Sequence, residues 1–204
     1  MKKALLLISG GFDSPVAGYL AKKKGYSLVY LTFSQEPVTD EQEALKAFNL
    51  AKLIGGGKFF KAKIGKQLAE LVNKCEHKFY YVLQRRLFLR IAEIVAKQEG
   101  CEVLITGDNL GQVGSQTLSN LSVIDAVTGL TVIRPLLTND KVDTLAIARE
   151  IGTYDASCGP ELCSLLGPKH PATSSTPNLL MREEGKIDVD EMVKSVLETL
   201  EELK

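Results

Sequence analysis

Short apolar runs alternate with amphipathic stretches along this 204-residue chain. The runs with strand length and strand composition predict buried strands at Ala4–Ile8, Leu28–Phe33, Phe59–Ile64, Val103–Thr106 and Thr131–Arg134. Apolar positions at helical spacing predict helices at Ser14–Lys24, Asp40–Ile54, Lys66–Lys74, Tyr80–Lys97, Gln112–Ser122, Lys141–Ile151 and Asp188–Leu203. The alternation predicts an α/β fold with a parallel sheet, helices on both faces, and ligands at the carboxyl ends of the strands.

Residues 157–177 interrupt this alternation. The segment is rich in Gly, Pro, Ser and Thr, and it carries Cys158 and Cys163. This turn chemistry predicts a long loop, and loops of such length are usually functional or disordered. We therefore expect a main domain over residues 1–177 that includes the cysteine-bearing loop, and a helical extension over residues 178–204.

The composition is that of an ordinary soluble globular chain, with 45% hydrophobic and 25% charged residues. The first apolar run, Ala4–Ile8, is too short for a signal peptide or a membrane span. We therefore expect a cytoplasmic protein without a membrane partner. Lys and Arg number 25 and are balanced by 25 Asp and Glu, so no overall positive charge attracts nucleic acid.

The first predicted strand is followed by the string Ser9-Gly10-Gly11-Phe12-Asp13-Ser14. Glycines between a strand and a helix let backbone N–H groups approach a phosphate, and the helix dipole favours an anion there. The serine hydroxyls add donors, and Asp13 can hold a magnesium ion or a substrate group. No Gly-Lys-Ser/Thr follows, which excludes the phosphate loop of kinases and GTPases. A tight turn without a ligand is the alternative, but the full string favours a nucleotide-phosphate site.

Two further blocks extend this pattern. One covers residues 106–121 and contains Gly-Gln-Val-Gly-Ser-Gln-Thr, and the other runs from Arg134-Pro135-Leu136 through Asp140-Lys141 to Cys163 and Pro168-Lys169-His170-Pro171. Together with residues 9–14, they resemble the ATP-pyrophosphatase (PP-loop) domain of the tRNA 4-thiouridine synthetases. The resemblance covers residues 1 to about 177. It implies an open five-stranded parallel sheet of the PP-loop ATPase, or adenine nucleotide alpha hydrolase-like, type.

The resemblance also implies an ATP-dependent sulfurtransferase. ATP would adenylate a carbonyl oxygen, that of uridine C4 in tRNA, with release of pyrophosphate. A sulfur nucleophile would then displace AMP and leave a thiocarbonyl, as in 4-thiouridine. The implied cofactors are ATP and Mg²⁺. The implied partners are tRNA, a persulfide donor such as a cysteine desulfurase or sulfide, and a second copy in a homodimer.

Carried over residue by residue, the resemblance assigns ATP binding to residues 9–14 and to Leu7, Ile8, Thr32, Phe33, Arg85, Gly107 and Gln116. Asp13 would be the essential carboxylate, and Lys141 would stabilise the phosphate charge that develops during adenylation. Ordinary alternatives stay open for several of these positions. Thr32 and Phe33 could be plain strand residues, Arg85 could lie on a solvated helix face, and Lys141 could be the first exposed position of a helix.

Cys163 matches the family cysteine that takes part in sulfur relay, and Cys158 could form a disulfide with it. The alternative is that both are loop cysteines without redox work. No metal site is predicted, because the Cys-x-x-Cys pair that some relatives use for an iron–sulfur cluster is missing. Cys75 and His77 are a weak substitute.

The resemblance covers only the PP-loop domain of the family's full-length members, which carry additional domains including THUMP and rhodanese, and we expect a stand-alone domain without them. We therefore expect a separate RNA-binding subunit to hold the tRNA. Two other functions stay open. The chain could be a module that binds ATP or AMP without turnover, or a PP-loop adenylating enzyme of other chemistry, such as amide formation, acting on a small non-RNA substrate.

Overall fold

The computed structural model describes residues 2–113, 115–159 and 166–204. The strands are β1 Lys2–Leu7, β2 Tyr26–Ser34, β3 Phe59–Lys63, β4 Val103–Ile105, β5 Thr131–Ile133 and β6 Glu201–Leu203. They form one sheet in the order β5-β4-β1-β2-β3-β6. All neighbouring pairs are parallel except β3 and β6, which are antiparallel. The predicted parallel sheet is thereby confirmed.

The helices are α1 Asp13–Lys23, α2 Gln42–Leu53, α3 Gly65–Lys74, α4 Tyr80–Gln98, α5 Leu118–Asp125, α6 Lys141–Glu150, α7 Tyr154–Ser157, α8 Pro177–Glu184 and α9 Val189–Leu197, with a short 3-10 helix at His77–Phe79. They cover both faces of the sheet. Leu5 of β1 is buried in one hydrophobic cluster with side chains of α4, whereas Ala4 and Leu6 are buried in a second cluster with side chains of α1 and α2. Both faces of a parallel sheet are buried in this way, which explains the continuous apolar runs. None of the helices in these ranges is both long enough and apolar enough to cross a bilayer.

The sheet has six strands, so the prediction of five was wrong in number. Residues Glu201–Leu203 pair antiparallel with β3, where Leu203 lies opposite Phe59. The helix predicted over Asp188–Leu203 therefore ends at Leu197. Thr199 helps to turn the chain, because its Oγ1 accepts a hydrogen bond of 2.9 Å from the backbone N–H of Lys63. The added strand covers an edge of the sheet that would otherwise expose unpaired backbone groups.

The helix predicted over Gln112–Ser122 begins later, at Leu118. Gly111 has φ of +75°, outside the helical region, so the chain cannot continue as a helix there. Thr117 caps the helix, since its hydroxyl oxygen accepts from the N–H of Asn120 at 3.2 Å. The residues between β4 and α5 therefore form a loop at the end of the sheet.

Two helices were not among the individually predicted ones, although α8 lies within the helical extension expected over residues 178–204. The short helix α7 directly precedes Cys158. Helix α8 begins at the end of the predicted cysteine-bearing loop, where Thr176 accepts a hydrogen bond from the N–H of Leu179 and Pro177 occupies the first turn. A threonine cap followed by proline is a known helix-start pattern, so the sequence did carry this signal.

Candidate active site

The candidate site lies where the strand order reverses. The chain runs from β1 outward to β2 and β3, then returns to the other side of β1 to form β4 and β5. The loops after β1 and β4 therefore diverge on opposite sides and leave a crevice at the carboxyl ends of these strands. Ligands bind at such points in open α/β sheets. The predicted phosphate loop and the loop after β4 are these two loops.

The phosphate loop, residues 9–14, connects β1 directly to α1. The N–H of Ser9 donates to Ser14 Oγ at 2.9 Å, and the N–H of Gly11 donates to Ser9 Oγ at 3.3 Å. Within the described ranges, no side chain caps the first turn of α1, although Phe12 occupies the cap position. The first turn of α1 thus presents its positive dipole end to the loop, which suits a phosphate.

Gly107 brings the two loops together. A Cβ atom at this position would lie 2.7 Å from the backbone N of Ser14 and 2.9 Å from the backbone C of Asp13. Any other residue would therefore push the end of β4 away from the start of α1. The absent side chain thus lets the loop after β4 pack against the phosphate loop, and the expected nucleotide contact at Gly107 stays a prediction.

Gln116 is buried and closes the loop after β4 on itself. Its Oε1 accepts from the N–H of Asn109 at 3.3 Å, and its backbone carbonyl accepts from the N–H of Gly111 at 3.0 Å. The structure therefore shows Gln116 shaping the loop. Its predicted contact with ATP stays a prediction.

Asp108 is the charged centre of the site, and sequence reasoning did not assign it a role. Its carboxylate accepts hydrogen bonds from Arg85, from Arg134 Nε at 3.1 Å and from Thr106 Oγ1 at 2.9 Å. Burial alone would raise the pKa of Asp108, but the two guanidinium groups outweigh it and hold this pKa below its usual range. Asp108 is therefore an anion that fixes both arginines.

Arg85 and Arg134 differ in what they expose. The Arg134 side chain is 7% exposed, and it also forms a bidentate salt bridge with Asp125, with N–O distances of 2.6 and 2.8 Å. The Arg85 side chain is 29% exposed while bound to Asp108. Arg134 is thus a structural link, and Arg85 retains surface for the nucleotide contact that was predicted for it.

The predicted adenosine residues lie at the ends of β1 and β2. Ile8 and Thr32 are buried, and the N–H of Ile8 donates to the carbonyl of Leu31 at 2.9 Å. Phe33 stacks on Phe88 of α4 with ring centroids 4.1 Å apart. Leu7 is half-buried and packs against the same hydrophobic cluster as Phe33. Leu7 and Phe33 therefore pack on one face of the sheet and Ile8 on the other, and the predicted adenosine contacts of these residues stay predictions.

Lys141 is exposed at the first position of α6, and Asp140 caps that helix by accepting from the N–H of Val142 at 2.9 Å. The connection before α6 is fastened to the loop after β4. Asn109 Nδ2 donates to the carbonyl of Asn139 at 2.6 Å, and the N–H of Leu110 donates to the carbonyl of Leu137 at 2.9 Å. The start of α6 is therefore held beside the crevice.

The cysteine positions are described in part. Cys158 is exposed directly after α7, and Cys163 lies outside the described residues. The carbonyl of Ser157 accepts from Lys46 Nζ at 2.8 Å, and Ser157 Oγ donates to the carbonyl of Gly11 at 3.4 Å. The first residue of the cysteine-bearing loop, residues 157–177 (the cysteine segment), is therefore hydrogen-bonded to the phosphate loop.

Residues further along this segment are hydrogen-bonded to the 3-10 helix that precedes α4. His77 Nε2 lies 2.8 Å from the carbonyl of Leu166 and donates to it, and the N–H of Ala172 donates to the carbonyl of Lys78 at 2.8 Å. Cys75 is buried, which raises its thiol pKa, and its Sγ contacts the carbonyl of Glu183 instead. Cys75 and His77 thus have different partners, and the described ranges hold no group of three or more metal-binding side chains.

Comparison with known proteins agrees with this geometry. A family model described as thiamine biosynthesis protein (ThiI) matches residues 1–189. Probable tRNA sulfurtransferases from Alkaliphilus oremlandii and Moorella thermoacetica are 38% and 40% identical to the chain. Each alignment covers 98% of this chain but 52% and 53% of the relative, respectively.

A solved structure is also similar, a 4-thiouridine synthetase in complex with RNA and bound ATP. It is 36% identical, with a TM-score of 0.91, and the match covers 100% of this chain and 55% of that one. The chain therefore spans about half the length of the relatives it matches.

Proposed function

The chain belongs to the ThiI family, and on this premise we propose that it adenylates a carbonyl oxygen with ATP and then replaces that oxygen with sulfur. The proposed substrate is tRNA, and the proposed position is uridine C4. The sulfurtransferase names of the curated relatives and the RNA and ATP in the similar solved structure support this choice.

The residues of the crevice are suited to bind a nucleoside triphosphate. The phosphate loop offers the first turn of α1, and the partly exposed Arg85 adds positive charge across the crevice. Asp13 is the first residue of α1, and carboxylate oxygen is the ligand that Mg²⁺ prefers. A magnesium ion at Asp13 would neutralise part of the charge of the pyrophosphate.

In the proposed first step, the uridine C4 oxygen attacks the α-phosphorus and pyrophosphate leaves. Arg85 and Lys141 stabilise the charge that develops on the phosphate oxygens. The carbonyl oxygen, a poor leaving group by itself, becomes part of a good one, because it departs with AMP in the next step.

In the proposed second step, the terminal sulfur of a persulfide on Cys163 attacks C4, and AMP leaves with the original oxygen. The thiolate of Cys158 then attacks Sγ of Cys163. The sulfur–sulfur bond to the substrate breaks, its electron pair stays on the new thiocarbonyl, and the two cysteines form a disulfide. A thiol reductant restores the pair, and a persulfide donor reloads Cys163.

One observation carries the proposal: Ser157, the residue before Cys158, contacts the phosphate loop through Gly11 and is held there by Lys46. This contact supports the proposal that sulfur transfer takes place close to the bound phosphates. This arrangement favours sulfur transfer over a module that only binds ATP or AMP.

The test is pyrophosphate release by the full chain with ATP, Mg²⁺, a persulfide donor and tRNA that lacks 4-thiouridine, at low salt to favour RNA binding. We expect release that depends on tRNA, together with thiouridine in the RNA. Asp13→Asn should abolish both products, whereas Cys163→Ser should keep pyrophosphate release and lose thiouridine. The proposal is wrong if no pyrophosphate forms, and tRNA-independent release with a small substrate would replace tRNA by that substrate.

A further inference from the structure

Lys46 of α2 lies across the phosphate loop, although nothing in the sequence marked it. A Cβ atom built on Gly10 would lie 3.0 Å from Lys46 Cδ and 3.6 Å from its Cε. The aliphatic stem thus lies directly over a glycine of the loop. At its end, Lys46 Nζ donates to the carbonyl of Ser157 at 2.8 Å.

The Lys46 side chain contacts three parts of the site. Its stem contacts the phosphate loop, its Nζ holds the end of α7, and a Cβ on Gly159 would lie 3.8 Å from the same nitrogen. Ser157 Oγ closes this arrangement by donating to the carbonyl of Gly11. Lys46 therefore connects the phosphate loop to the start of the cysteine segment.

The partner of this lysine is unusual for a half-buried cation. Within residues 2–113, 115–159 and 166–204, Lys46 forms no ion pair with a carboxylate, and its hydrogen bond goes to a neutral carbonyl. Lys52, on the same helix, lies over the ring of Phe48 at 4.0 Å and is exposed. The two lysines share a helix, but only Lys46 places its charge beside the phosphate loop.

We propose that Lys46 is a phosphate ligand of this site and, at the same time, the residue that positions the start of the cysteine segment. The inference rests on the proposed function, because it assigns a phosphate group to the loop. A lysine with three donors can bind a phosphate oxygen and a carbonyl together. Lys46 would bind the pyrophosphate part of ATP while holding Ser157 close to it.

Two measurements on the full chain test this inference, with Lys46→Met, Lys46→Arg and the control Lys52→Met. The first is binding of inorganic pyrophosphate and of ATP by calorimetry. Loss of one charged hydrogen bond should weaken both by roughly tenfold in Lys46→Met. Lys46→Arg should restore part of the affinity, and Lys52→Met should bind like the parent chain.

The second measurement is amide hydrogen exchange of residues 154–158, which needs neither ATP nor RNA. Lys46→Met should speed this exchange by roughly tenfold, because the carbonyl anchor of α7 is lost. Exchange in α9 should not change, which separates a local effect from general unfolding. Lys52→Met should match the parent chain in both segments.

Unchanged pyrophosphate affinity in Lys46→Met would overturn the phosphate role, and unchanged exchange at residues 154–158 would overturn the positioning role. Neither readout uses tRNA or sulfur. A chain that passes both tests but makes no thiouridine would therefore contradict the proposed function and leave this inference standing.

Discussion

Two arginine–carboxylate clusters lie on α4, and only one of them faces the candidate site. The site cluster consists of Arg85, Asp108 and Arg134 at the carboxyl end of β4. Its carboxylate is almost fully buried, yet Arg85 remains partly open to the crevice. The cluster thereby fixes the position of Arg85, the cation for which we propose a nucleotide contact.

The support cluster consists of Arg86, Arg90 and Glu184, and it fastens α8 to α4. Glu184 accepts from Arg86 at 2.7 and 2.8 Å and from Arg90 at 2.7 and 3.0 Å. Burial alone would raise its pKa, but hydrogen bonds from both guanidinium groups lower this pKa to about 2. The comparison teaches that adjacent arginines of one helix can form ion pairs with different roles: Arg85 is held at the candidate site, whereas Arg86 stabilises the packing of α8 on α4.

The largest effect is expected from Asp108→Asn. The amide cannot neutralise Arg85 and Arg134, so two partly buried cations lose their shared anion. Pyrophosphate release should fall by roughly 100-fold, and the free energy of unfolding should fall by about 3 kcal/mol. Steady-state kinetics and urea denaturation measure the two quantities. Near-normal turnover would show that the cluster does not position Arg85 for the reaction.

Glu184→Gln should destabilise the fold by about 2 kcal/mol, because Arg86 and Arg90 lose their anion while some hydrogen bonds persist. At a temperature where the variant stays folded, turnover should match that of the parent chain. The pair of variants therefore separates the two clusters. Loss of turnover in folded Glu184→Gln would show that the support cluster also contributes to the reaction.

Much of the fold was predictable, since buried strands and amphipathic helices leave local patterns. The predicted strands β1 to β5 formed within a few residues of their expected bounds. The failures involve non-local partners. The strand β6 needs the edge of β3, and the late start of α5 depends on a loop that packs against the connection before α6.

Without the family resemblance, the site was predictable only where its residues are neighbours in sequence. The phosphate loop is one continuous string, whereas the partners in the site cluster are 23 and 26 residues apart. Lys46 and Ser157 are separated by 111 residues, so no spacing rule could connect them. Contacts of this kind arise from tertiary packing, and a single sequence does not record them.

Arg85→Met should weaken ATP binding by roughly tenfold with little loss of stability, because Asp108 keeps Arg134 as its partner. The matched control is Arg90→Met, which removes an arginine of the same helix from the support cluster. Calorimetric titration with ATP compares the two. Equal losses of affinity would mean that Arg85 acts only through the general stability of α4.

The last prediction concerns the acid side of the stability curve. The pKa of Glu184 falls from 4.5 to about 2 on folding, so its contribution is fully present above about 4.5 and is lost as the pH falls towards about 2. Urea midpoints of the parent chain should therefore decline more steeply across this window than those of Glu184→Gln. If the midpoints of both chains fell in parallel with pH, the support cluster would not be the cause of the acid destabilisation.

The central claim is that ATP activates a carbonyl oxygen, and the fate of that oxygen tests it most directly. Transfer RNA carrying heavy oxygen at uridine C4 is incubated with the chain, ATP and a persulfide donor, and the AMP product is weighed by mass spectrometry. The account predicts AMP that contains the heavy oxygen, in an amount equal to the thiouridine formed. Thiouridine accompanied by unlabelled AMP would contradict it.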